Sequence, residues 1–178
     1  MKTTTNLLFD LETTGLLRRG STIHCIVMRD MNTSDDPIVF DHKPERAIVQ
    51  GIKQLENADA LIGHNIAGYD IPLIKEQFPD FQAKGDIVDT LVMSRLYYPN
   101  ISDRDYERRP DGMPQRLYGR HSLEAWGYRL KCFKGDFAKN ESNDWSTYTP
   151  EMLDYCIQDT QVTLRLYELL QRRMETYA

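Results

Sequence analysis

Short apolar runs dominate the first third of the chain, and stretches with helical periodicity follow them. Leu7-Leu8-Phe9 runs into Asp10, Leu11 and Glu12 and leaves through Thr-Thr-Gly, which reads as a buried strand closed by a turn. Thr22–Arg29 and Pro37–Asp41 read as two further strands, with the intervening Asn-Thr-Ser-Asp-Asp as a turn. Residues 46–57 place Ile48, Ile52 and Leu55 at helical spacing. Ala60–Gly63 is a fourth strand, and Pro72, tolerated in a first turn, sets a helix start near Asp70. Asp86–Val88 is a fifth strand, after which Asp89 caps a helix to about Tyr98. Residues 99–121, rich in Pro, Gly, Arg and Asp and without periodicity, read as a surface loop. Ser122 caps a helix through Leu130, residues 131–147 are irregular, and Thr149-Pro150-Glu151 opens a long helix to about Met174. Strands leading, then helices alternating with strands, predict an α/β fold: a mixed, partly antiparallel sheet with helices on its faces.

Composition narrows this picture. With 178 residues, 40% hydrophobic and 28% charged, the chain reads as one globular domain spanning 1–178. No apolar run approaches the ~20 residues of a membrane span, and MKTTTNLLFD lacks the features of a secretory signal. Cys25, Cys132 and Cys156 are widely spaced and unpaired in pattern, as expected of reduced thiols. A net charge of −5 argues against coating nucleic acid electrostatically. It leaves room for a protein that grips a few terminal nucleotides through cations held by carboxylates.

The candidate chemistry lies at strand ends and on the last helix. Asp10 and Glu12 are two apart on a strand and share a face. Two carboxylates so placed repel each other, and a hard divalent cation such as Mg²⁺ or Mn²⁺ relieves that. An acidic turn with no ligand has the same local sequence. Asp70 follows another apolar strand, in Asn65-Ile66-Ala67-Gly68-Tyr69-Asp70. Tyr155 and Asp159, four apart, stack on one helical face. Such a phenol and carboxylate could position a water between them, but a core aromatic beside a solvated acid is the usual fate of Y-x-x-x-D, so the pair alone is weak evidence.

In order and spacing, D-x-E, N-x-x-x-Y-D and Y-x-x-x-D together resemble the tyrosine-type branch of the DEDD 3′–5′ exonucleases, which have a ribonuclease H-like fold. The likeness is greatest to the proofreading domain of family A DNA polymerases from podovirus-type bacteriophages. Asp89-Thr90-Leu91-Val92-Met93-Ser94-Arg95-Leu96 and Ser122-Leu123-Glu124-Ala125-Trp126-Gly127-Tyr128-Arg129-Leu130 extend it beyond the motifs. The resemblance implies a ribonuclease H-like sheet and two divalent ions, Mg²⁺ or Mn²⁺. It implies that Asp10 bridges both ions, that Glu12 and Asp159 complete the inner site, and that Asp70 holds the outer ion. Tyr155 then orients the attacking water, since a phenol of ordinary pKa about 10 is a poor base at neutral pH. Leu16 wedges against the terminal base, Glu12 meets the 3′-hydroxyl, and Asn65 braces the second motif beside the substrate. His64 is expected to be a structural hydrogen-bonder.

The implied reaction is hydrolysis of single-stranded or mismatched DNA 3′ ends to nucleoside 5′-monophosphates, as proofreading in the cytoplasm of a phage-infected host. An exoribonuclease of the same fold is the alternative, and an inactive strand-binding module is a further rival that five retained site residues disfavour. The chain stops after its last helix without a polymerase module. The expectation is therefore an excised domain or a stand-alone enzyme, with a separately encoded DNA polymerase as a possible partner. Arg104, Arg108, Arg109, Arg116 and Arg120 alternate with acids in the 99–121 stretch, which reads as a self-paired, solvated loop rather than a strand guide. Trp126 reads as core, and Trp145 as a candidate for stacking on bases.

Overall fold

Leu7, Phe9 and Leu11 alternate with Leu8, Asp10 and Glu12 along the first strand, and both faces of that strand are covered. The computed structural model describes residues 4–15, 20–132 and 145–176, with backbone only at 34 and 35. Strand β1 (Asn6–Thr13) lies at the centre of a five-stranded sheet. On one side β2 (Ile23–Asp30) pairs with it antiparallel and β3 (Ser34–Phe40) continues the hairpin; on the other, β4 (Ala60–Gly63) and β5 (Asp86–Asp89) are parallel. The order β3-β2-β1-β4-β5 makes the expected mixed sheet. Its parallel half directs the C-terminal ends of β1, β4 and β5 the same way, where open α/β sheets place their functional crevice.

Leu7, Phe9 and Leu11 pack with Ile26 and Met28 of β2 beneath α1 (Ile48–Asn57) and α2 (Asp70–Gln77), whose Ile52, Leu55, Ile71 and Ile74 complete the larger core. Leu8 takes the opposite face, against Ile62 and Leu164 of the long helix α6 (Pro150–Glu175). Asp10 and Glu12, two and four residues further along, share the Leu8 face and so lie on the α6 side. Thr149 caps α6 by accepting from the Met152 amide at 3.2 Å, with Pro150 in the first turn, as its sequence predicts.

A smaller core joins α3 (Thr90–Tyr97), α5 (Leu123–Arg129) and α6 through Leu123, Trp126, Val162 and Leu166. Trp126 is core, as expected. The Ser122 hydroxyl caps α5 through the Ala125 amide at 3.4 Å, and the Asp89 carboxylate caps α3 through Leu91 at 2.9 Å.

Two expectations are corrected. The Asn-Thr-Ser-Asp-Asp turn is shorter than expected, because β3 begins at Ser34 and cross-strand pairing recruits its polar residues. The 99–121 stretch is not an irregular loop: Ile101–Arg108 forms helix α4, and residues 115–117 form a 3₁₀ turn. Its apolar positions are too few for the period to show, yet Ile101 is buried in the smaller core and anchors the helix there.

Candidate active site

Asp10 is set by the register of β1, and Cys156 of α6 meets it: the thiol donates to Asp10 Oδ2 at 3.7 Å. Burial holds the Cys156 thiol well above its ordinary pKa, and the neighbouring Cys25 and the Asp10 charge act in the same direction. It is therefore a protonated hydrogen-bond donor rather than a thiolate ligand. One donor atom each from Asp10, Glu12 and Cys156 lie within 4.8 Å of one another. With the thiol protonated, what this cluster offers a cation is carboxylate oxygen, the donor type Mg²⁺ and Mn²⁺ prefer.

Asp10 and Asp159 line one cavity of about 440 Å³ together with His64, Asn65, Arg95, Arg120 and His121. Asp159 is 5% exposed, not the solvated acid its local sequence allows. Asp70, the first residue of α2, is 3% exposed. Burial drives its carboxyl up to about 7, and the charge of Asp89 pushes the same way, against the opposing pull of its own amide and that of Leu11. A buried acid held this high, with another acid as its charged neighbour, is where a cation would be welcome.

The turn after β4 carries Asn65 in the left-handed region at φ 64°. Asp89 pins it: its two oxygens accept from the Asn65 amide at 2.9 Å and the Ala67 amide at 3.0 Å while it caps α3. A Cβ on Gly63 would lie 2.9 Å from the Phe9 carbonyl oxygen and clash with Ile66, so only glycine lets this turn fold so close to β1. His64 Nδ1 pairs with the Thr90 hydroxyl at 2.9 Å, the structural bond expected of it. Tyr69 donates to the Gly15 carbonyl at 2.7 Å and lies 2.8 Å from the Thr13 hydroxyl, tying the exit of β1 to the start of α2. Burial raises the Tyr69 phenol, its hydrogen bond with Thr13 opposes this, and the charges of Asp70, Glu12 and Asp10 add to the rise.

Tyr155 is 8% exposed and meets Trp145 edge-on, with ring centroids 6.3 Å apart. Trp145 in turn lines a cleft of about 290 Å³ with Glu12, Thr13, Gly15 and Tyr69. Asp10, Glu12, Asp70 and Asp159 are thus gathered at one end of the sheet, with Asn65 beside them and Tyr155 one residue from Cys156 on α6. Leu16 lies outside the described residues. Sequence reading missed Cys156, Asp89 and Tyr69, whose roles depend on partners far along the chain, and it left Arg120 in a solvated loop although Arg120 lines the carboxylate cavity.

An acid-lined crevice at the parallel end of a mixed sheet, closed by a long C-terminal helix, is matched by a family model. Residues 7–171 match that of the RNase H superfamily, and the chain belongs to this superfamily. It is 30% identical over 90% of its length to the DNA-directed DNA polymerase of Escherichia phage T7, and 30% identical over 92% to that of Enterobacteria phage T3. The resemblance drawn from the motifs is borne out in both respects. The chain spans about a quarter (26%) of the length of these relatives. Among solved structures, Brucella melitensis NrnC superposes with a TM-score of 0.66 at 17% identity, over 97% of this chain and 75% of that one. Escherichia coli RNase D, an exoribonuclease involved in structured RNA processing, superposes at 0.63 with 13% identity, over 97% and 40%. At these identities the likeness is one of fold. Among the described residues no helix is long and apolar enough to cross a membrane.

Proposed function

We propose that this chain is a divalent-metal-dependent 3′–5′ exonuclease that removes nucleoside 5′-monophosphates from single-stranded or mismatched DNA ends, in proofreading alongside a DNA polymerase. The observation that carries the reading is the double membership of Asp10: it clusters with Glu12 within 4.8 Å and shares a cavity with the otherwise distant Asp159. The donor set fits Mg²⁺ or Mn²⁺, being carboxylate oxygen with Asp70 poised between its protonated and charged forms. Asp10, Glu12 and Asp159 would hold one ion, and Asp10 with Asp70 a second. Such ions supply acidity to a water and offset charge on the leaving 3′-oxygen.

The remaining roles belong to the chain's own side chains. Cys156 fixes the Asp10 carboxylate by donating to it. Tyr155, braced by Trp145, orients the attacking water through its phenol. Glu12, in the lining of the cleft shared with Tyr69 and Trp145, meets the terminal 3′-hydroxyl, and Asn65 borders the substrate. Leu16 is assigned the wedge at the terminal base. Arg95 and Arg120, which line the same cavity as Asp10 and Asp159, give the strand's phosphates a positive partner. Kinship with phage DNA polymerases favours DNA over RNA.

The test is digestion of 3′- and 5′-labelled single-stranded DNA with Mg²⁺. The 3′ label should leave first, as mononucleotide. Single strands should be degraded faster than mismatched duplex ends, and those faster than paired ends, because unstacking an end costs a few kcal/mol and least where it is already frayed. Release of the 5′ label first, or undiminished hydrolysis in excess chelator, would overturn the reading. Matched RNA oligonucleotides degraded faster than DNA would transfer it to RNA.

A further inference from the structure

Trp145 stands between the cleft that follows β1 and the residue assigned to the attacking water. It lines the cleft of about 290 Å³ together with Glu12, Thr13, Gly15 and Tyr69. Its ring also meets that of Tyr155 edge-on, with centroids 6.3 Å apart and planes at 77°. Glu12 belongs both to this cleft and to the cluster it forms with Asp10, so the cleft adjoins the carboxylates. Trp145 is half-buried, whereas Tyr155 is almost wholly covered.

The backbone that carries this indole is anchored to the sheet. His24 Nε2 lies 3.0 Å from the Trp145 carbonyl oxygen, and since a carbonyl only accepts, that nitrogen carries the proton. His24 is buried and belongs to β2. Further along, Tyr148 donates to Asp41 Oδ2 at 3.3 Å, and its ring meets His42 edge-on at 4.7 Å. With the backbone held in this way, what a ligand in the cleft can still set is the tilt of the indole. The lining favours a flat, apolar ligand. Tyr69 and Trp145 are both aromatic, and the Tyr69 hydroxyl is committed to the Gly15 carbonyl and the Thr13 hydroxyl. Among the described residues of that lining Glu12 alone is charged, and its sign disfavours a phosphate there. The part of a nucleic-acid strand that suits the cleft is a base, and an aromatic face takes any of the four.

We propose that Trp145 couples the seating of an unpaired terminal base to the placement of Tyr155, an inference that rests on the exonuclease reading of the site. A base stacked against Trp145 fixes the ring on which Tyr155 packs, and with it the phenol that orients the water. A base that is still paired reaches the cleft only after it has been unstacked. While it stays in the duplex, the indole and the phenol lack that support. Discrimination against paired ends then arises in the rate of the bond-breaking step as well as in binding. Trp145 is a positioning residue in this scheme, since it acts on the reaction through Tyr155.

The experiment is a double-mutant cycle between protein and substrate, read as single-turnover 3′ cleavage at saturating protein with Mg²⁺. Two 5′-labelled single strands differ only in the 3′-terminal residue, which is thymidine in one and an abasic deoxyribose in the other. Removing the base should slow the wild type about tenfold, in keeping with the strength of base–aromatic stacking. Trp145→Ala should lose a similar factor on the thymidine-ended strand, and with both groups removed the loss should stay close to that of either alone. Trp145→Phe should restore most of the rate, and in Tyr155→Phe the terminal base should cease to matter to the saturated rate. Circular dichroism and urea midpoints show whether the variants are folded, and the wild-type comparison of the two strands needs no variant. In chelator, the part of the tryptophan emission that Trp145→Phe removes should be quenched more by the thymidine-ended strand than by the abasic one. Equal wild-type rates on the two strands, additive losses, equal quenching, or a base effect undiminished in Tyr155→Phe would overturn the proposal, while 3′ release by the wild type would leave the exonuclease reading standing. No 3′ release from either strand would remove that reading and the proposal with it.

Discussion

Two acid-bearing regions of this molecule behave in opposite ways. At the end of β1, Asp10 and Glu12 gather with Asp70 and Asp159, and burial beside like charge raises the Asp70 carboxyl, the kind of perturbation that marks candidate functional sites. Along α4, Asp105 is equally buried but is fully engaged by Arg129 and Gly119, and its neighbouring acids face solvent. The first is a cluster of like charge in a cavity that also carries Arg95 and Arg120; the second is a directly paired acid and arginine with further arginines around it. Burial of an acid is thus uninformative by itself. What separates a candidate reaction centre from a structural pair is the partner supplied across the fold.

Substitution at the two sites should break this comparison in different observables. Asp10→Ala should abolish hydrolysis by several orders of magnitude, at about 1.4 kcal/mol per tenfold, while leaving the urea midpoint unchanged or raised. Tyr155→Phe should cost less, since the acids remain. Gel assays on 3′-labelled single strands check both, and equal loss in two folded variants would contradict the role given to Tyr155.

Asp105→Ala should do the reverse. Leaving the Arg129 guanidinium buried and unpaired should destabilise the fold by about 3–5 kcal/mol, seen in urea unfolding, with activity per folded molecule largely retained at low temperature. An activity loss as complete as that of Asp10→Ala in still-folded protein would erase the distinction.

The poised acid gives a pH test. Asp70 is raised to about 7, so its contribution is fully present below the unfolded carboxylate value near 4 and is lost as pH rises through 7. In chelator, wild-type stability should therefore fall between pH 5 and 8 relative to Asp70→Asn, by the order of 1 kcal/mol or more. Mg²⁺ added at pH 8 should restore the wild type and not the variant. Parallel pH profiles would remove Asp70 as the cause.

The smallest effect is expected at the surface of the second region. Arg116 and Glu124 meet at 3.0 Å with 65% and 29% of their side chains exposed. Glu124→Ala should change stability by less than about 1 kcal/mol in denaturant titrations, which sets the scale against which the loss at Asp105 is read.

Chain order alone determined what depends on near neighbours. The alternation of β1 commits Asp10 and Glu12 to one face, glycine and proline set the ends of β4 and α6, and the Ser122, Asp89 and Thr149 caps follow from hydroxyls and carboxylates at helix starts. The order of the three acidic motifs was sufficient to indicate the superfamily. Tertiary structure decided everything that needed a partner far along the chain. It paired the Cys156 thiol with Asp10 across 146 positions and turned Asp89 from a helix cap into the clamp of the Asn65 turn. It also made a helix of a stretch that lacks visible periodicity, because Ile101 finds the α5–α6 core and Asp105 finds Arg129, 24 residues away. Local pattern records the energy a residue gains from its own turn or strand. The desolvation and pairing of buried charge depend on which distant groups the packed chain brings within a few ångströms.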